Sequence, residues 1–160
     1  MPCYLFTYHA YRSWMPDRRQ GFVQRGKGIQ KPNAELAKQY NERAKRPQTW
    51  FGEESQRVII DALIEACEIQ ECRLHYVATD ATHLHVLVSW KIDRDWQTVR
   101  PCLKASVTRR LHEKQPDQQW FGRNASRKRV ENREHFDFLV KVYLPKHRGL
   151  KWQEGCGVFP

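Results

Sequence analysis

The sequence predicts an α+β fold, a ferredoxin-like (RRM-like) antiparallel sheet packed with helices, and three observations carry that prediction. Residues 3–8 alternate apolar and β-favouring side chains. Two further β-rich runs, 73–79 and 82–90, are separated by only Asp80 and Ala81, the spacing of a hairpin. Segments with helical periodicity stand on either side of that hairpin, so the order reads strand, helix, hairpin, helix, strand, helix.

Each element has its own warrant. After the first strand, residues 12–50 form a long basic insertion within a single predicted domain spanning 1–160. It contains Gly21, Gly26, Gly28 and Pro32, and a short helix is expected from Asn33, a good N-cap, to about Lys45. Glu53 and Glu54 suit the positive end of a helix dipole. Val58, Ile59, Ala62, Leu63, Ala66 and Ile69 follow at helical spacing, giving an amphipathic helix over 53–70. Asp95 caps a helix to about Glu113, in which Val99, Leu103, Val107 and Leu111 step by four. Pro101 fits there only within the first turn or as a kink. Residues 114–126 read as loop and 127–130 as a short basic strand. A last helix runs over 131–144 and stops at Pro145.

Bulk properties narrow the function. The formal net charge is +10. Between Arg100 and Lys151 fourteen bases stand against five acids, so the excess lies in the last third of the chain. Concentrated positive charge attracts a polyanion, which makes nucleic acid the leading partner. The opening residues do not form a secretory signal, and no apolar run is long enough to span a bilayer; a cytoplasmic location without membrane contact is expected. Five cysteines with no CxxC pair argue for reduced, mostly buried thiols rather than a disulfide framework or a structural zinc site.

The sharpest chemical feature is His83-Leu84-His85. On a strand, residues two apart share a face, so both imidazoles project side by side while Leu84, Val86 and Val88 cover the other face. Two neutral imidazoles suit a divalent metal if further ligands complete the shell. On the last helix Phe136, Leu139, Val140, Tyr143 and Leu144 form a buried stripe. Phe138 lies ~200° from Phe136 at ~100° per residue, among the polar side chains of Glu131, Glu134, His135 and Lys141. An aromatic ring there predicts either a covering partner or a cleft shared with the histidines.

These segments together resemble the single-tyrosine HUH transposases, and especially the REP-associated tyrosine transposases. Tyr8-His9-Ala10-Tyr11-Arg12-Ser13-Trp14-Met15-Pro16 with Gly21-Phe22-Val23 is similar to the family's opening motif, and Thr82 to Val88 to its HUH strand. Lys104 falls in a segment like LKxxxTRxL, and His135-Phe136-Asp137-Phe138-Leu139 resembles the HxDYL/I segment, followed by Pro145-Lys146-His147-Arg148-Gly149. The resemblance implies single-strand cleavage and rejoining of hairpin-forming DNA through a 5′-phosphotyrosine. It also implies Mg²⁺ or Mn²⁺ on His83 and His85, with His135 as a further candidate ligand, and a bacterial, nucleoid-associated setting. Dimers and monomers both occur among such proteins.

One departure matters. Phe138 occupies the position where the family has its nucleophilic tyrosine, so the resemblance implies a cleavage-inactive Tyr-to-Phe variant, with Tyr143 as the alternative nucleophile. Lys104, Arg109, Arg110, Arg127, Lys128 and Arg129 are candidate phosphate contacts, and Trp14, Trp120 or Phe121 candidate base-stacking rings. Two other readings fit the residues: a non-catalytic module binding single-stranded nucleic acid, and a metal-dependent phosphodiesterase that uses water.

Overall fold

The computed structural model describes residues 1–24 and 26–160, with Asn124 given by its backbone alone. The alternating opening run becomes β1 (Cys3–Ala10). A small hairpin, β2 (Phe22–Gln24) and β3 (Gly28–Gln30), and α1 (Ala34–Arg43) follow. Asn33 caps α1 as expected, its side chain accepting the Leu36 N–H at 2.9 Å. Next come α2 (Glu53–Ile69), β4 (Cys72–Thr79), β5 (His83–Trp90), α3 (Trp96–Lys114) and β6 (Phe121–Arg129). The chain ends with α4 (Arg133–Phe138), which widens into a π turn (Leu139–Tyr143), tightens into a 3₁₀ turn (Leu144–Lys146), and leads to β7 (Lys151–Gln153) and β8 (Gly157–Phe159).

Six strands make one antiparallel sheet in the order β6-β1-β5-β4-β7-β8. The first four have the predicted ferredoxin-like arrangement, with α2 connecting β1 to β4 and α3 connecting β5 to β6. Period-two alternation then divides the side chains between two layers. Phe6, Tyr8, Leu84, Val86, Val88 and Trp90 pack beneath α2 and α3 with Ile59, Leu63, Leu103 and Leu111. Each such large side chain stabilises the fold by ~1.5–3 kcal/mol relative to an exposed one. On the opposite face Leu5, Tyr76, Ala78 and Leu87 meet Leu139 and Leu144 of the C-terminal helical segment. That second layer carries the histidines.

The structure departs from the sequence reading at several places. β6 begins at Phe121, inside the expected loop, because Trp120 and Phe121 are buried and anchor an otherwise polar edge strand. β7 and β8 lengthen the sheet beyond the predicted four strands; at three residues each they carry no readable alternation. Pro101 is the sixth residue of α3, beyond the first turn, and its ring is exposed. Of the five thiols only Cys67 is buried, while Cys102 and Cys156 are exposed on the outer side of α3 and in the β7–β8 turn.

Candidate metal centre and cleft

The tight turn at Asp80, whose N–H donates to the His83 carbonyl at 2.8 Å, starts β5 with His83 pointing away from α2 and α3. His85 follows on the same face, as the alternation predicts. β1 lies alongside in a register that pairs Thr7 with His85 and His9 with His83. Cross-strand partners share a face, so Thr7 and His9 join the two histidines. The C-terminal helical segment covers this face and brings His147 to them. One ring nitrogen each from His83, His85 and His147 lies within 4.8 Å of the others. Nitrogens sharing one ion at ~2.1 Å stand roughly 3.0–3.4 Å apart, so the three rings would draw closer around a bound ion.

Hydrogen bonds orient all three rings. His147 Nδ1 lies 3.0 Å from the Leu144 carbonyl, which can only accept, so Nδ1 carries the proton and Nε2 the lone pair. His85 Nδ1 pairs with Thr7 Oγ1 at 2.8 Å, and His83 Nδ1 with Thr82 Oγ1 at 3.1 Å. His85 is only 4% exposed, and its Nε2 is buried with no hydrogen-bond partner among the described residues. A buried imidazole nitrogen without a partner is costly unless something binds it. The residues therefore fit a metal ion.

Burial holds His9, His83 and His85 neutral. The His85 pKa is pushed down to about 2, first by desolvation and then by the charges that His147, His83 and His9 would carry. His9 is lowered to about 4 by burial and then by His83 and Arg18, and His83 is lowered by burial and then by His147. The lone pairs are thus available at neutral pH.

A cleft of about 290 Å³ opens over the cluster, and its walls include His9, Trp14, Arg18, Ser126 and Tyr143. No Asp or Glu is among the described residues lining it. Tyr143 stands 5.4 Å from His85 and 5.5 Å from His147 between ring centroids. Burial raises its phenol above the ordinary range.

The expected positions on the last helix are reversed. Phe138 is 51% exposed and is not among the residues lining the cleft, whereas Tyr143, expected in the buried stripe, is. The π turn is the reason: from Leu139 each residue advances by less than the ~100° of an α-helix, which turns Tyr143 away from the Phe136 face. His135 does not join the converging histidines either; it lies at the start of α4, its Nδ1 accepting the Glu131 N–H at 3.3 Å. His147 stands where that ligand was sought.

The basic candidates are scattered. Arg109 and Arg110 belong to α3, in the layer behind the sheet, and Arg110 pairs with Glu65 at 3.4 Å. Lys104 donates to the Gly122 carbonyl at 2.5 Å, and Arg127 stacks over Trp96 at 3.9 Å. By register with β1, Arg129 shares the face of Tyr4, while Lys128 shares the face of Leu5 on the histidine side. Trp120 and Phe121 are core residues rather than stacking platforms. Trp14 borders the cleft with the Arg18 guanidinium 3.7 Å above its ring.

His147, His9, Thr7 and Arg18 were not singled out from the sequence. The alternation of β1 held a signal for two of them: if Phe6 and Tyr8 face the core, Thr7 and His9 face the other way. His147 depends on how a non-α turn ends, which periodicity does not register.

No protein-family model matches the chain, and no curated protein matches it in sequence. Solved structures do match in fold. A crystal structure of a candidate transposase from Deinococcus radiodurans R1 superposes with a TM-score of 0.54 at 11% identity, covering 93% of each chain. A REP-associated tyrosine transposase bound to a REP hairpin matches with a TM-score of 0.48 at 9% identity, covering 90% of this chain and 70% of that one. The chain thus shares its fold with a transposase-like protein.

Proposed function

We propose that this chain cleaves and rejoins single-stranded, hairpin-forming DNA, with Tyr143 as nucleophile and a divalent metal held by His83, His85 and His147. The observation that carries the reading is a phenol ring in a cleft with three converging imidazoles. A cation bound there would supply Lewis-acid polarisation of a phosphoryl oxygen. The Tyr143 oxygen forms a bond to phosphorus as the bond to the 3′ oxygen breaks. The phenol loses its proton, the departing 3′ oxygen gains one, and the 5′ phosphate stays on the protein. Reversal by a 3′ hydroxyl rejoins the strand without ATP, because the bond is exchanged rather than hydrolysed.

Charge supports an anionic substrate. Three imidazoles contribute no negative charge to a divalent ion, and among the described residues the cleft lining adds the Arg18 cation. A phosphodiester completes that balance. The donor set also bears on the metal: nitrogen ligands favour Mn²⁺ and later transition ions over Mg²⁺, which prefers oxygen. Mn²⁺ is therefore expected to support the reaction better than Mg²⁺.

The test is covalent capture of a labelled single strand with Mn²⁺, read on a denaturing gel. The chain as it stands is expected to form an adduct, Tyr143→Phe to abolish it, and His147→Ala to reduce it strongly. An adduct that appears only after Phe138→Tyr would assign the nucleophile to position 138 and make the unaltered chain an inactive variant.

A further inference from the structure

The loop after β1 builds something the histidine cluster does not need. Met15 and Arg18 close a turn, the Arg18 N–H donating to the Met15 carbonyl at 3.4 Å, and Gly21 N–H returns to the Arg18 carbonyl at 2.8 Å. The turn folds the Arg18 guanidinium over Trp14, 3.7 Å from the ring centroid, and Trp14 leans on His9 at 4.4 Å. His9 in turn faces His83 at 6.0 Å. A stack of four side chains therefore runs from the loop to the histidine cluster.

At its outer end Arg18 Nη1 is buried and has no hydrogen-bond partner among the described residues. The side chain lines the same cleft as His83, His85 and Tyr143, and no carboxylate is among the described residues lining it. A desolvated guanidinium nitrogen without an acceptor is unfavourable unless a ligand supplies one. Guanidinium geometry, rigid and forked, matches the non-bridging oxygens of a phosphate.

We infer that Arg18, held in place by Trp14, is a phosphate receptor of the cleft that grips the nucleic-acid backbone independently of the metal. The inference rests on the cleft being a DNA site and names a positioning contact within it. Arg18 contributes charge and two-point geometry, and Trp14 keeps the guanidinium from swinging out into solvent.

Binding without divalent metal separates this role from cleavage. Fluorescence anisotropy of a labelled single strand of about twelve nucleotides, in EDTA and over a salt series, reads affinity and its salt slope. Arg18→Ala is expected to weaken binding roughly ten- to a hundredfold, as for loss of a charge-assisted hydrogen bond, and to reduce the slope by about 0.7. Arg18→Lys should keep the slope but recover only part of the affinity, since an ammonium cannot present the fork. Arg57→Ala, on the outer side of α2, is the matched charge control and should leave both unchanged.

Unchanged affinity and slope in Arg18→Ala would overturn the inference, as would an equal effect in Arg57→Ala. A loss specific to Arg18→Ala supports it even if Tyr143 forms no adduct, in which case only the cleavage reading fails. Normal adduct formation with undiminished binding in Arg18→Ala sinks the receptor and leaves cleavage standing.

Discussion

Thr7 shows how much of this site depends on one hydroxyl. Its Oγ1 meets His85 Nδ1 at 2.8 Å inside the protein, fixing the ring and leaving the buried Nε2 as the nitrogen open to a ligand. Outer contacts of this kind raise ligand basicity and lock orientation, and losing one weakens metal affinity ~10- to 100-fold. Thr7→Val keeps the shape and removes the oxygen. We expect a metal affinity, measured by calorimetry with Mn²⁺, lower by that factor, while Tyr143→Phe leaves it within about threefold. Equal affinity in Thr7→Val and the unaltered protein would mean that the ring is held by packing alone. The same imidazoles set an acid limit on stability. His85 and His9 are depressed to about 2 and about 4, so in the folded protein they stay neutral where the unfolded chain, with histidines near 6.5, takes up protons. Their contribution to stability is complete above pH ~6.5 and is lost as pH falls, by up to ~1.4 kcal/mol per unit for each ring. Melting in EDTA should accordingly drop between pH ~7 and ~5, and His85→Gln should flatten that fall. A midpoint that does not move over this range would contradict the buried, neutral cluster.

Elements position what residues supply, and here the decisive element is the C-terminal helical segment. Leu139 and Leu144 bury it on Leu5, Tyr76 and Leu87, and between those two anchors the π turn aims Tyr143 into the cleft. Beyond it Gly149 lets the chain pass close to β4: a Cβ there would lie 2.5 Å from the Thr79 carbonyl oxygen. His147 is carried between Leu144 and this contact. Truncating Leu144 should therefore weaken the site as well as the fold. Leu144→Ala is expected to cost ~2–5 kcal/mol of stability, or less if the segment detaches alone, and to loosen metal binding at least tenfold. Leu103→Ala, behind the sheet, should cost similar stability yet leave metal affinity within about twofold at temperatures where the protein is folded. Comparable losses of metal affinity in both would show that the helical segment has no special hold on the site. The contrast also explains what could be read from the sequence. β1, α2, the β4–β5 hairpin and α3 repeat a side-chain pattern over eight residues or more, and His83 and His85 inherited their common face from that pattern. Placing Tyr143 and His147 required knowing that the last helix leaves α geometry at Leu139, a choice made by tertiary packing rather than local propensity.

At the scale of the whole molecule the two faces of the sheet do different work. The layer of α2 and α3 holds the larger core, and several of its surface bases are already paired: Arg57 with Glu53, Arg110 with Glu65 and Glu113, Lys114 with Glu54. The histidine face offers Arg18 in the cleft and Lys128 on the exposed edge strand β6. No helix among the described residues is long and apolar enough to cross a membrane. Net charge of +10 draws a polyanion from every direction, but only contacts made at the bound site appear in the salt slope. A strand threaded over the histidines would lie beside β6 and away from α3. Lys128→Ala should therefore lower the salt slope for single-stranded DNA by about 0.7, whereas Arg110→Ala should change it by much less, its charge being paired with carboxylates behind the sheet. The cleft, about 290 Å³, is at the small end of ligand-site volumes and suits a nucleotide of an unpaired strand better than a duplex. Single strands should then compete more effectively than duplex of the same sequence in the metal-free anisotropy assay. If Arg110→Ala proved the more damaging substitution and duplex the better competitor, the nucleic acid would be bound on the helical layer, and the cleft would have to serve some smaller anion.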